Sequence, residues 1–84
     1  MKRDELELLS FFVSIHGDPP DIKHREMMIE SLGIPYKRAM FILEKWSKKG
    51  YWDYGVSTRT GWLTPEGIEW AGKYMPLTMT NIHL

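Results

Sequence analysis

The stretch from Gly33 to Gly67 leaves the fewest choices for how this chain folds, because helix stops, caps and apolar spacing recur in a fixed order along it. Gly33 supplies the positive φ that a helix terminus prefers. Ile34 follows as an apolar plug in the turn, and Pro35 suits the first position of a new helix, where its missing N–H satisfies no bond. Ala39, Leu43 and Trp46 then fall at i, i+4 and i+7, the inward row of a helix running from about Pro35 to Lys49. Lys48 and Lys49 complement the dipole in its last turn, and Gly50 stops it. Tyr51-Trp52-Asp53-Tyr54 reads as a short aromatic strand, residues 55–61 as a polar loop bounded by glycines, and Gly61-Trp62-Leu63 as the returning strand. Thr64 caps a further helix, with Pro65 at its first position and Glu66 at its positive end. Ile68, Ala71 and Met75 continue it at helical spacing, and Pro76 ends it.

Two helices precede this stretch. From about Asp4 to His16, Leu6, Leu9 and Val13 form one apolar row and Leu8, Phe12 and Ile15 the next, a wide face that belongs deep in a domain. Asp4 and Glu5 suit the dipole of its first turn. Gly17-Asp18-Pro19-Pro20 cannot continue a helix. Asp21 is placed to cap a second helix from about Ile22 to Leu32, with Met28, Ile29 and Leu32 inward. The tail from Leu77 to Leu84 is mildly apolar and short, and suits packing back on the domain, adding a strand edge or joining a dimer contact.

With 84 residues the chain forms one domain. An apolar fraction of 43%, with four Trp, four Tyr and three Phe, fills a core without staples. No cysteine is present, which excludes disulfides, thiolate zinc sites and Cys nucleophiles and suits a reducing cytoplasm. No apolar run approaches the ~20 residues of a membrane span, and acidic residues in MKRDELELL interrupt any signal-peptide pattern. The expected setting is cytoplasmic, away from membranes.

The net charge is zero, whereas a DNA-binding domain commonly carries a basic excess. The charge is unevenly spread, however. Lys37, Arg38, Lys45, Lys48 and Lys49 face a single acid, Glu44, along the third helix, while residues 18–30 lean acidic.

Three helices, a hairpin and a final helix, with Leu32-Gly33-Ile34 at the turn and Trp62-Leu63-Thr64-Pro65-Glu66-Gly67 after the second strand, resemble the winged helix-turn-helix superfamily. The likeness is greatest to small prokaryotic and phage repressor-type domains and covers about residues 4–75. It implies a mainly α fold with a small β-hairpin: a three-helix core, a two-stranded wing and a C-terminal helix. It also implies sequence-specific binding of double-stranded DNA by a transcriptional regulator, as a homodimer that sets two recognition helices on two half-sites. By position, Tyr36, Lys37, Arg38, Phe41 and Lys45 of the third helix would face the major groove. Thr58 and Arg59, with Ser57 and Thr60, would offer the wing to the backbone or minor groove. Lys23 and Arg25, with His24, would hold a second phosphate edge.

Met40, Phe41 and Ile42 depart from that pattern. If Ala39, Leu43 and Trp46 face inward, Phe41 and Ile42 turn partly outward, where polar groups are expected. Three arrangements accommodate them: a rotated helix that buries the patch, a dimer or heteroprotein surface, or an apolar part of a DNA face. The second makes the domain a protein–protein interaction module, the alternative function. No catalytic pattern is present: the serines lack a nucleophile elbow, and no glycine-rich phosphate loop follows a strand. His16, His24 and His83 lack partners at ligand spacing, so neither metal nor cofactor is expected, and no effector pocket is legible. The rings of Tyr51, Trp52, Tyr54, Trp62 and Trp70 are expected to cover the core, with Tyr54 the exposed one.

Overall fold

The computed structural model describes residues 1–55 and 60–74, and shows four helices with a two-stranded antiparallel sheet between the third and the fourth. Helix α1 spans Arg3–Ser14 and ends earlier than the expected His16, with the Ser14 hydroxyl donating to the Phe11 carbonyl at 2.6 Å. Its buried row is Glu5, Leu8, Leu9 and Phe12, with Phe11 beside it. Leu6 is exposed and Val13 only half-buried, because the i, i+3, i+4, i+7 row that faces the core runs through Leu8 and Phe12.

Helix α2 spans Ile22–Ser31, and the Asp21 carboxylate accepts the His24 N–H at 2.8 Å as its cap. Arg25 takes the inward position one turn before Ile29 and Leu32. Met28 then lies at the margin of that row and is exposed rather than inward. Gly33 turns the chain at φ +79°, and Ile34 is buried in the turn. Pro35 caps helix α3, Tyr36–Lys48, instead of forming its first residue. Ala39, Ile42, Leu43 and Trp46 are its buried face.

Helix α3 closes with a Schellman pairing: Gly50, at φ +83°, donates to Ser47, and Tyr51 donates to the Trp46 carbonyl at 2.9 Å. Strands β1, Trp52–Asp53, and β2, Trp62–Leu63, are shorter than expected. Trp52 pairs with Leu63 and Asp53 with Trp62, so the period of two sends Trp52 and Leu63 into the core and the other pair outward. Trp62 is therefore the exposed ring, at 49%, and Tyr54 is half-buried. A Cβ at Gly55 would meet the Trp62 ring at 2.9 Å, so the outward indole lies over a glycine.

Helix α4 spans Pro65–Gly72, with the Thr64 side chain accepting the Gly67 N–H at 3.0 Å. The same hydroxyl donates to the Gly50 carbonyl at 2.7 Å and ties the start of α4 to the end of α3. Ala71 is buried, while Met75, Pro76 and the tail lie outside the described residues. Phe12 meets Trp52 edge to face at 4.5 Å, Trp46 meets Trp70 at 5.7 Å, and Tyr51 stacks on Trp70 at 4.4 Å. These offset contacts suit ring quadrupoles and bury large areas in a small domain. They set the orientation of α3, whose opposite face is left outward.

Candidate functional site

The buried row of α3 fixes what its other side presents. Tyr36 and Phe41 are 65% and 59% exposed, and Lys37, Lys48 and Lys49 are exposed with them. Ile42 is fully buried, which corrects the expectation that it turns outward beside Phe41. It lies three residues after Ala39 and four before Trp46, within the core row. Met40 is half-buried on the flank toward α2. The expected Met40-Phe41-Ile42 patch is thus reduced to Phe41.

The flank toward α1 is electrostatically closed. Arg38 donates from Nε to Asp4 Oδ2 at 2.7 Å and from Nη2 to Asp4 Oδ1 at 3.2 Å, a two-point pair between α3 and α1. The Arg38 hydrogen bond holds the Asp4 carboxyl below its ordinary pKa, with a smaller opposing effect of burial, and the Arg38 pKa is raised by the same bond. Its guanidinium also lies 5.6 Å over the Phe41 ring. Lys45 Nζ sits 2.8 Å from Glu5 Oε1, and Trp46 Nε1 donates to Glu5 Oε2 at 2.8 Å. Burial alone would raise the Glu5 pKa, but the bonds from Lys45 and Trp46, and the Lys45 charge, bring it below its ordinary value. Of the cations expected on the outward face, Arg38 and Lys45 are therefore each matched by a carboxylate of α1.

Arg25 is corrected more fully. It is buried, donates from Nη1 to the Gly61 carbonyl at 2.8 Å and lies 5.8 Å over the Phe12 ring. It joins α2 to the residue before β2 and offers no phosphate edge. Burial lowers its pKa, against a smaller effect of Glu26. Lys23 remains exposed, and the His24 ring sits 2.9 Å from the Asp21 carboxylate. Lys48 and Glu44 are 3.8 Å apart and solvated, a pairing that constrains Lys48 little. Thr60 donates to the Tyr54 carbonyl at 2.8 Å. Ser57, Thr58 and Arg59, expected on the wing, lie outside the described residues.

Glu5 is more than a dipole partner: its place one turn before Leu8 and Leu9 on the apolar row signals the buried carboxylate that the structure shows. A cleft of about 150 Å³ also opens between α2 and α3. Ile34, Ala39, Leu43 and Trp52 wall it, and Glu26, Glu30 and Tyr36 stand at its exposed side.

No protein-family model matches the chain, no curated protein matches it, and no solved structure matches it. No helix among the described residues is long and apolar enough to cross a membrane.

Proposed function

We propose that this chain binds duplex DNA as a winged helix-turn-helix module and regulates transcription in the cytoplasm, with two copies meeting two half-sites. Helix α3 enters the major groove, and the residues between β1 and β2, with Thr58 and Arg59, meet the backbone or minor groove. One observation carries the reading: α3 is held by four buried side chains, while its outward face presents Tyr36, Lys37, Phe41 and Lys48. Lys37, Lys48, Lys49 and Lys23 are exposed cations for phosphates. Arg38 is held by Asp4 through its Nε and Nη2 side, which leaves the Nη1 side for a phosphate rather than the whole fork for guanine. Phe41 supplies apolar contact for a thymine methyl.

The test is duplex binding by single variants. Lys37→Ala and Lys48→Ala each weaken binding to all sequences about equally and flatten the salt slope by about one. Phe41→Ala instead changes the preference among duplexes. Unchanged affinity in all three removes α3 as the DNA-facing element.

A second reading, a protein-interaction module, is favoured by the exposure of Phe41 beside Arg38, a cation already neutralised by Asp4 of α1. It predicts that Phe41→Asp abolishes a protein complex, has no effect on duplex affinity at low salt, and leaves the fold intact, since this ring is not core.

A further inference from the structure

Helix α2 is attached differently from the other three helices. The buried apolar side chains of the core come from α1, α3, the two strands, α4 and the turn residue Ile34, and none of them from α2. The one buried side chain of α2 is charged: Arg25, which donates to the Gly61 carbonyl at 2.8 Å and lies over the Phe12 ring. Ile29 and Leu32 are half-buried against the core, while Ile22, Met27 and Met28 are exposed. Clefts border α2 on two sides, one of about 150 Å³ toward α3 and one of about 270 Å³ toward Pro20, Trp62 and Leu63.

We propose that α2 is a hinged flap that opens as a unit while the rest of the domain stays folded. Segments with few buried apolar contacts open at the least cost, and one fully buried aliphatic side chain is worth about tenfold or more in an equilibrium constant. Leu8, Leu9, Phe11 and Phe12 hold α1 in this way, and α2 has no counterpart to them. The Arg25 attachment is polar, so on opening its guanidinium and the Gly61 carbonyl both regain water. The chain is non-helical on either side of α2, over residues 15–21 before it and at Gly33, φ +79°, after it. The movement therefore needs no change inside α1 or α3. It uncovers Ile34, Ala39, Leu43 and Trp52, the apolar wall of the cleft toward α3. The proposal goes beyond the DNA reading and does not depend on it.

The experiment is native-state hydrogen exchange of the full chain, read by nitrogen-15 NMR under conditions where rates report opening equilibria. The amides of Met27, Ile29 and Ser31 are expected to share one opening equilibrium and to be at least about tenfold less protected than those of Leu9, Ile42 and Trp46. They lose protection together as sub-denaturing urea is added, because the flap exposes apolar surface. Arg25→Met, which leaves the Gly61 carbonyl unpaired in the closed state, speeds α2 exchange by about 5- to 150-fold. Ala71→Gly, a buried change in α4 within the part that stays folded, speeds exchange at Leu9, Ile42 and Trp46 several-fold and leaves the α2 amides unchanged. Protection of α2 equal to that of Trp46, an equal response of both sets to Ala71→Gly, or a gradient along α2 that marks fraying from its ends overturns the proposal.

Discussion

Replacing Glu5 by alanine removes the acceptor that Trp46, fully buried, uses for its indole N–H, and the partner of Lys45. An unsatisfied buried donor alone destabilises by about 1–3 kcal/mol. The Lys45 side chain is 39% exposed and turns to water, so its loss adds little. A total of about 1–3 kcal/mol results, against roughly 4–13 kcal/mol of stability for a chain of this length. The melting temperature should fall by about 4–24 °C, using roughly 4–8 °C per kcal/mol for small domains. Glu5→Gln keeps an acceptor for Trp46 and loses only the charge, so its deficit should be near 1 kcal/mol. Urea unfolding followed by tryptophan fluorescence measures both. The pH dependence has a definite sign. Because the folded pKa of Glu5 is lowered, the unfolded chain binds the proton first as pH falls. The contribution of Glu5 is therefore complete above its unfolded pKa and lost as pH drops through the folded one. Glu5→Gln should lack that part of the acid slope. Glu5→Ala within about 0.5 kcal/mol of wild type, or Glu5→Gln as damaging as Glu5→Ala, would refute the reasoning.

Other substitutions separate stability from binding. Gly67→Ala should destabilise by roughly 1–3 kcal/mol in thermal unfolding, despite alanine's better helix propensity, because its Cβ would collide with the Tyr51 carbonyl. Arg25→Met should lower stability by about 1–3 kcal/mol through the unpaired Gly61 carbonyl, while the low-salt duplex affinity of the folded fraction stays unchanged. Asp4→Asn should release Arg38 from its two-point pair, tightening non-specific duplex binding several-fold and steepening its salt slope, as read by fluorescence anisotropy.

What was legible in the sequence was local. Gly33, Gly50, Asp21 and Thr64 act within a turn of their positions, and each ends or caps a helix as its chemistry requires. Ile42 was legible too, but following only the row through Ala39, Leu43 and Trp46 left it outward. Strand β1 begins at Trp52 because the Tyr51 N–H is taken by the helix closure, while the Tyr51 carbonyl still accepts the Thr64 N–H at 3.0 Å. The charge pattern misled for a nonlocal reason. Arg38 and Lys45 meet acids 34 and 40 positions away, and nothing in the spacing of either helix announces the encounter. Arg25 read as a surface cation because its acceptor, the Gly61 carbonyl, belongs to a backbone turn brought near only by the fold. The cleft likewise exists only through the separation of α2 from α3.

The DNA reading meets its most direct test in fluorescence anisotropy of the full chain with a labelled random duplex between about 50 and 200 mM salt. The four exposed lysines Lys23, Lys37, Lys48 and Lys49 alone give a slope near −3.6, so affinity should fall by at least about two orders of magnitude across that range. No binding at the lowest salt, or binding that salt does not weaken, would contradict a phosphate-facing α3.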